Sequence, residues 1–168
     1  APAFADHEMD DVIRYSDHIV FNSFHQWNKF KDKVKNSGKQ IECGLRLNPK
    51  YSEIDTDIYN PCFTGSRLGI TPEQFQPDQL DGIHTMCEQN SDTLERTLKV
   101  VDDTFGSYIK QMKWLNFGGG HHITRSDYDI ETLIRCIQFA QDTYGVQVYL
   151  EPGEAVALNT GYLVSTVL

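Results

Sequence analysis

The sequence lacks the features of a membrane protein, a disordered chain or a disulfide-stapled secreted domain. Its 168 residues contain no apolar run near the roughly 20 residues that a transmembrane helix needs. It has only four cysteines and no CxxC pair, which indicates free thiols in a reducing, cytoplasmic compartment. Basic residues are also few, with 15 Lys and Arg against 24 Asp and Glu. The net charge of -9 disfavours a nucleic-acid partner, because phosphates would be repelled.

The sequence does contain a regular alternation of strand and helix patterns. Five short, mostly apolar runs predict strands of a parallel sheet that is covered on both faces. These runs are His18–Asn22, Ile41–Leu47, Gly82–Met86, Met112–Phe117 and Val146–Leu150. The alternation leaves two architectures, an open doubly wound sheet or a β/α barrel. Since a complete barrel takes about 250 residues, we expect a barrel of this kind to be partial, with strands missing on its N-terminal side.

Polar caps and glycines predict where the helices begin and end. One helix is expected from Ser91 to Gly106. Another is expected after a cap at Ser126 or Asp127, with a stop at Gly145. Its inward residues are expected to be Ile130, Leu133, Ile134, Ile137 and Tyr144. The stretch Asn48–Pro77 has little periodicity, and a loop of that length inside a compact domain usually serves function or covers a site.

The sharpest motif, NFGGGHHIT, runs from Asn116 to Thr124 at the end of the fourth predicted strand. Gly118, Gly119 and Gly120 permit positive φ angles and can aim several N–H groups at one anion beside a helix N-terminus. We therefore expect a phosphate-binding turn, with a merely flexible turn as the alternative. The motif has neither the GK[ST] of a Walker A loop nor GxGxxG spacing.

Charged residues are predicted at the ends of other strands. Glu151, followed by Pro152 and Gly153, is expected to be held rigidly and to pair with a protonated ring nitrogen of a cofactor. A solvated strand exit is the alternative for this motif. His84 could stack on a cofactor ring or move a proton, although a histidine in a strand is often simply packed. Arg46 lies in an otherwise apolar strand and needs an anionic or ring partner.

Nucleophilic catalysis by a cysteine and metal binding by histidines are both disfavoured. Cys87 could act as a nucleophile, but no activating base is evident beside it. His121 and His122 are adjacent and would point to opposite faces of a strand, so no metal site is predicted. The remaining candidates follow parallel strands and should meet at one edge of the sheet. A phosphate site, a carboxylate and a histidine describe a pocket for a phosphorylated aromatic cofactor, for which pyridoxal 5'-phosphate (PLP) is the natural candidate.

These motifs resemble those of the alanine-racemase-fold (fold type III) PLP-dependent decarboxylases. The nearest branch is the one that acts on carboxynorspermidine or carboxyspermidine, and the resemblance covers essentially the whole chain. The motifs that carry it are GLRLNP (44–49), SRLGI (66–70), GIHTMCE (82–88), NFGGGHHIT (116–124) and EPGEA (151–155). Relatives that act on ornithine, arginine or diaminopimelate usually carry Arg after EPG, whereas this chain has Glu154.

The resemblance implies a role for each matched residue. Glu151 would pair with the pyridine nitrogen of PLP, and His84 would stack on the ring. Gly118, Gly119 and Gly120 would hold the phosphate, and Arg46 would lie near the ring. The segment 66–69 would cross near the pocket mouth.

The resemblance also implies a reaction and partners. The intact enzyme would decarboxylate carboxynorspermidine or carboxyspermidine to norspermidine or spermidine, in the cytoplasm, as a homodimer with shared active sites. Glu154 would recognise a cationic amine of the carboxylated polyamine substrate. The acidic composition suits such a polycation.

Part of that enzyme is not expected in this chain. The family's PLP-bearing lysine lies on an early barrel strand, and none of the nine lysines here has that context. Residues 1–160 are expected to form the central part of the barrel, and 161–168 to begin the strand that leads into a C-terminal β domain. The segment alone would be inactive and would need companion segments or a dimer partner.

Other functions stay open at this point. One is decarboxylation of a different amino acid, such as diaminopimelate. A second is a non-catalytic PLP-binding barrel protein, which the absence of an upstream lysine would favour. A third is a phosphate-binding β/α protein unrelated to PLP.

Overall fold

The order of the strands decides between the two architectures. In the computed structural model, which describes residues 1–54, 58, 60–76, 80–85 and 88–166, parallel strands form one sheet in the order β1-β2-β3-β4-β5. They are β1 (His18–Phe21), β2 (Glu42–Arg46), β3 (Gly82–His84), β4 (Trp114–Gly119) and β5 (Gln147–Glu151). An open doubly wound sheet reverses its strand order at a switch point, whereas a β/α barrel keeps neighbours in chain order. The sheet therefore has the order of a barrel.

The sheet also curls toward closure. β1 and β5 are its two edges, yet the ring centroids of His18 on β1 and Tyr149 on β5 are 5.2 Å apart. The ring centroid of Trp114, on β4, is 5.6 Å from that of His18 and 6.2 Å from that of Tyr149. Side chains from both edges thus meet across the concave face. The predicted partial barrel of about five strands is confirmed.

Helices alternate with the strands, and capping residues mark where several of them begin or end. They are α1 (Met9–Tyr15), α2 (Phe24–Lys35), α3 (Ser91–Ile109), α4 (Ile130–Tyr144) and α5 (Gly153–Ala157). At the start of α2, the Gln26 N–H donates to Ser23 Oγ at 3.3 Å, and the Asn22 N–H donates to Gln26 Oε1 at 2.9 Å. α4 ends at Gly145, whose φ of +73° is typical of a helix C-cap.

The outer face of the sheet packs against the helices and forms the core. Successive strand residues point to opposite faces, so every second residue of each strand faces outward. Six of these outward residues are apolar and at most 2% exposed: Ile19, Phe21, Leu45, Ile83, Leu115 and Phe117. These side chains join Trp27, Leu98 and Leu133 of the helices in one hydrophobic cluster. Burial of this apolar area, at about 25 cal/mol per Å², is the main term that stabilises the fold.

The inner face differs from the prediction of strands that are apolar on both sides. Near the strand starts the interior is filled by the Trp114 side chain, which lies over Gly44 and Gly82. A Cβ atom on either glycine would be 2.3 Å or 1.9 Å from the indole, so both positions require glycine. Toward the strand ends the inner residues include the polar Arg46, His84 and Asn116, and the first two line a cleft together with Val20.

Two helix boundaries were predicted wrongly. α3 does not end at Gly106 but continues to Ile109. The glycine permits close packing of α3 and α4: a Cβ there would lie 2.6 Å from Asp102 Oδ1, which accepts a hydrogen bond from the Tyr144 hydroxyl. The cap of α4 is Asp129, whose Oδ1 accepts from the Thr132 N–H at 3.0 Å, and not Ser126 or Asp127.

The inward face of α4 was predicted in part: Leu133 and Tyr144 are buried and Ile137 packs against the core, but Ile130 and Ile134 do not lie inward. Ile130 and Ile134 are 40% and 39% exposed, whereas Leu133, Cys136 and Ala140 are buried. The helical period was right, and the buried stripe includes the small residues Cys136 and Ala140 in place of Ile130 and Ile134.

The chain after α5 carries little regular structure. Residues 161–166 are exposed and have no helix or strand, so the lead-in strand expected over 161–168 stays a prediction, and residues 167–168 lie outside the described part. Met86 and Cys87 also lie outside it. Over the residues that are described, no helix is long and apolar enough to cross a membrane.

Candidate active site

Polar side chains from neighbouring strands meet on the inner face. In the sheet register Arg46 of β2 pairs with His84 of β3, and His84 pairs with Asn116 of β4. Register partners of parallel strands point to the same face, so these three side chains form one row. Glu151 is the last residue of β5. Arg46, His84 and Glu151 line a cleft of about 220 Å³ together with Ala1 and Val20, so the structure brings together the strand-end residues predicted from sequence.

The Glu151 carboxylate is anchored on one side and open on the other. Its Oε1 accepts a hydrogen bond from Asn116 Nδ2 at 2.7 Å and lies 3.9 Å from His84 Nε2. The side chain is 56% exposed. A carboxylate has several acceptor lone pairs, so Glu151 can still accept a hydrogen bond from a ring N–H in the cleft.

His84 is a neutral ring at physiological pH. Burial is the main cause that lowers its pKa from an ordinary 6.5 to about 4, and the Arg46 charge lowers it further, while Glu151 opposes the shift. The 3.9 Å approach to Glu151 is therefore not an ion pair near neutral pH. His84 Nδ1 is buried, with no hydrogen-bond partner among the described residues. A neutral, planar imidazole is suited to stacking on an aromatic ring.

The strand β4 ends in a turn whose backbone requires glycine. Gly118 and Gly120 have φ angles of +71° and +90°, which glycine adopts without a steric penalty. Gly119 pairs with Glu151 of β5, and a Cβ on Gly119 would lie 2.9 Å from the Glu151 carbonyl oxygen. These constraints favour an ordered turn over a merely flexible one. Phosphate binding at this turn stays a prediction, and the Gly118 N–H already donates to Asn116 Oδ1.

The surroundings of the glycine turn differ from the sequence expectation. α4 does not start beside the glycines but at Ile130, after an intervening loop. In that loop the Thr124 hydroxyl donates to the Ala155 carbonyl of α5 at 3.0 Å. His121 is buried, with Nε2 3.2 Å from the Phe117 carbonyl oxygen, and burial lowers its pKa. Within the described residues no three His, Cys, Asp or Glu side chains could hold a metal ion together.

The segment 60–70 crosses the carboxyl ends of β1 and β2. Asn22, directly after β1, donates through Nδ2 to the Arg67 carbonyl at 2.8 Å and accepts through Oδ1 from the Gly69 N–H at 2.9 Å. Leu47, directly after β2, forms an isolated parallel bridge with Ile70. The location of residues 66–69 at the pocket mouth stays a prediction.

Other predicted residues lie outside the cleft lining. Glu154 is exposed on the first turn of α5, beyond Glu151, and its substrate role stays a prediction. In the part of the chain that the structure describes, no lysine is among the residues that line the cleft. Lys113, for example, precedes β4 at the opposite end of the sheet, where its Nζ is 2.7 Å from Asp81 and 3.3 Å from Glu42.

Sequence reasoning assigned no role to Asn116. The structure shows it bound to Glu151 on one side and to the backbone N–H of Gly118 on the other, at 2.7 Å each. The sequence did contain a signal for this role. Asn116 is a polar residue in a predicted strand, two positions before Gly118, and residues two apart in a strand lie on the same face.

Taken together, Glu151, His84 and the glycine turn fit a planar heteroaromatic ring with an anionic substituent. A partly open carboxylate suits a protonated ring nitrogen, a neutral imidazole suits the ring face, and a glycine turn suits a phosphate. No step that needs a covalently bound lysine can be assigned to the residues that line this cleft.

The chain is similar to curated proteins over its whole length. It is 47% identical over 173 residues to a carboxynorspermidine/carboxyspermidine decarboxylase from Campylobacter jejuni, a match that covers 100% of this chain and 44% of the relative. It is 39% identical to a carboxyaminopropylagmatine decarboxylase from Synechocystis, over 99% of this chain and 44% of the relative. No family model matches the chain.

Solved structures of decarboxylases also match this chain, one at high and one at low sequence identity. The crystal structure of the Campylobacter jejuni carboxynorspermidine decarboxylase complexed with norspermidine matches with a TM-score of 0.77 and 44% identity, over 93% of this chain and 40% of that chain. A diaminopimelate decarboxylase matches with a TM-score of 0.66 and 16% identity, over 93% of this chain and 41% of that chain. The second likeness shows the fold alone.

The fold is therefore the β/α barrel of the fold-type-III decarboxylases, present here in part. Within that class, the resemblance to the carboxynorspermidine decarboxylases that the five motifs indicated is confirmed. The chain spans about 44% of the length of the curated relatives it matches.

Proposed function

We propose that this chain is the cofactor-binding part of a cytoplasmic, PLP-dependent decarboxylase of polyamine biosynthesis. Its substrates would be carboxynorspermidine and carboxyspermidine, and its products norspermidine and spermidine. The observation that carries the proposal is the meeting of Glu151 and His84 in one cleft beside the glycine turn. The 47% identity to the Campylobacter jejuni relative supports the substrate class.

The three polar residues that line the cleft each have a task in this proposal. When bound, PLP supplies a ring that accepts the electron pair left by the departing CO2. Glu151 holds the proton on the ring nitrogen, and its own position is set by the hydrogen bond from Asn116. His84 stays neutral and covers the ring face. Arg46 provides a positive charge beside His84.

The remaining parts of the site would come from other segments. The lysine that carries PLP would lie on a strand of the barrel that this chain does not supply. A homodimer with shared active sites, inferred from the family resemblance, would complete the substrate pocket. Both expectations can be checked on the parent protein, by peptide mapping of the reduced PLP–lysine adduct and by its mass in solution.

Glu154 is the proposed contact for a cationic amine of the substrate. It is exposed, and it follows the cleft-lining Glu151 after only Pro152 and Gly153. Glu154→Gln should raise KM for carboxynorspermidine by about tenfold, the worth of one charge-assisted hydrogen bond, with kcat nearly unchanged. Glu131→Gln, an equally exposed change on α4, is the control. An unchanged KM in Glu154→Gln would reject this role.

The decisive experiment compares substrates on the parent protein. CO2 release and polyamine product should be measured with carboxynorspermidine, carboxyspermidine, carboxyaminopropylagmatine and diaminopimelate. We expect kcat/KM for the first two to exceed that for diaminopimelate by about a hundredfold or more. Preference for diaminopimelate, or a parent protein with no visible PLP absorbance after reconstitution, would overturn the proposal.

Carboxyaminopropylagmatine is the second candidate substrate, because a decarboxylase of that name is 39% identical to this chain. A higher kcat/KM for it than for carboxynorspermidine would replace the proposed substrate and keep the reaction type. A parent protein that binds PLP but turns over none of the four compounds would favour a non-catalytic PLP-binding protein.

A further inference from the structure

Asn116 occupies the centre of the candidate active site without itself lining the cleft. It lies on β4 at 9% exposure, between its register partners His84 on β3 and Tyr149 on β5. Its side chain is therefore enclosed by the strands that carry the two predicted catalytic residues. A polar side chain in such a place needs its hydrogen bonds satisfied.

Both ends of the Asn116 amide are satisfied, by two different parts of the site. Nδ2 donates to Glu151 Oε1 at 2.7 Å, and Oδ1 accepts from the Gly118 N–H at 2.7 Å. A backbone N–H can only donate and a charged carboxylate can only accept, so these partners determine which end is oxygen and which is nitrogen. Alanine, serine or leucine could not make both bonds.

The two bonds connect two parts of the site that have different proposed tasks. Glu151 is the partner proposed for the ring nitrogen, and Gly118 begins the turn proposed for the phosphate. Because the Gly118 N–H is engaged by Asn116, Gly118 serves the turn through its φ of +71° and not as a free donor.

We infer that Asn116 is a positioning residue that sets the Glu151 carboxylate and the glycine turn at a constant separation for the cofactor. The inference rests on the proposed function, since the ring and phosphate in question are those of PLP. It assigns Asn116 no contact with the reacting atoms.

The test uses two substitutions that separate the two bonds. Asn116→Asp has nearly the same shape and keeps an acceptor for the Gly118 N–H, but it loses the donor to Glu151 and places two carboxylates together. Asn116→Ala loses both bonds. Asn28→Asp is the control, because it makes the same chemical change at an exposed position of α2, where Asn28 Oδ1 accepts from Lys31 Nζ at 2.8 Å and the residue is not among those that line the cleft.

Two readouts on the parent protein decide the question. In the apoprotein, hydrogen–deuterium exchange of the peptide that contains Gly118 should rise in Asn116→Ala and stay near wild type in Asn116→Asp. The PLP dissociation constant should rise at least tenfold at pH 8 in Asn116→Asp, the effect of losing a charge-assisted hydrogen bond. That weakening should shrink toward pH 6, because the carboxyl group introduced by Asn116→Asp can again donate to Glu151 once it is protonated. Asn28→Asp should leave the PLP dissociation constant within about twofold of wild type.

Two results would overturn the inference. One is a PLP dissociation constant in Asn116→Asp that matches wild type at every pH, and the other is unchanged exchange at Gly118 in Asn116→Ala. A wild-type parent protein that binds no PLP would instead overturn the proposed function, while the exchange measurement would still decide whether Asn116 holds the turn.

Discussion

The two faces of the five-stranded sheet share one backbone and differ in almost every other respect. On the outer face Phe21 and Leu115 are completely buried under helices. On the inner face His84 and Glu151 line a cleft, and Val20, the neighbour of Phe21, lines it with them. Because direction alternates with each strand residue, adjacent residues belong to different environments. Along one strand, outward residues therefore stabilise the core, and the inward residues alternating with them line the cleft.

The inner face carries buried polar atoms that have no hydrogen-bond partner among the described residues. His84 Nδ1 and Trp114 Nε1 are two of them. Unpaired buried polar atoms are destabilising, by roughly 1–3 kcal/mol each.

The largest effect expected is on the outer face of β1. Phe21→Ala should lower the free energy of unfolding of the parent protein by about 3–5 kcal/mol, because it removes a fully buried ring that contacts Trp27 and Phe30. Val20→Ala, one residue earlier, should lower it by about 1 kcal/mol or less. Denaturant unfolding measures both. Equal losses of unfolding free energy in the two variants would contradict the difference between the outer and inner faces.

The next effect is expected on the inner face of β5. Glu151→Gln should reduce kcat of the parent protein by about 10²- to 10³-fold, the usual effect of removing one electrostatic stabiliser from an active site. The melting temperature should stay close to that of wild type, since the side chain is 56% exposed. Steady-state kinetics and thermal denaturation test the two halves of this prediction. A stability loss as large as that of Phe21→Ala would contradict it.

The third prediction concerns acid. The pKa of His84 is about 4 in the folded protein and 6.5 in an unfolded chain, so between these values the unfolded state binds more protons. Stability should therefore fall as pH is lowered from about 6.5 to about 4, by roughly 3 kcal/mol from this residue. Above pH 6.5 the residue is neutral in both states and contributes no pH dependence.

The control for the acid effect is a substitution that cannot titrate. Apoprotein unfolding measured at several pH values should show a much weaker acid dependence in His84→Gln than in wild type. His121, whose pKa burial also lowers, should leave a smaller dependence of the same sign. An unchanged acid dependence in His84→Gln would show that the inner face does not hold this ring neutral.

The smallest effect is expected where the loop after β2 is tied to α3. Arg96 donates to both carboxylate oxygens of Glu53, at 2.6 Å and 2.5 Å, and this pairing lowers the pKa of Glu53 to about 2. Arg96→Gln should raise hydrogen–deuterium exchange in residues 48–54 by a few-fold and leave the melting temperature nearly unchanged, as is usual for an exposed ion pair. A large drop in melting temperature would mean that this loop belongs to the core.

The sequence was most informative where a signal is local. The five strands, the helical period of α4 and the stop at Gly145 follow from residues that are near neighbours in the chain. Glu151 and His84 could be predicted as neighbours in space because the ends of parallel strands share one edge. Gly106 shows the other case: it resembles a helix stop in sequence, but it is a packing site against Tyr144, a residue on another helix.

By itself the sequence determined the alternation of strands and helices, the glycine turn and the residue types of the candidate site. These depend on local propensity and on the two-residue and 3.6-residue periods, which need no knowledge of distant contacts. Only the tertiary structure decided that the sheet curls, that α4 exposes Ile130, and that Asn116 reaches Glu151, 35 residues further along the chain. Such contacts depend on strand register and sheet curvature, which arise when elements far apart in sequence pack together.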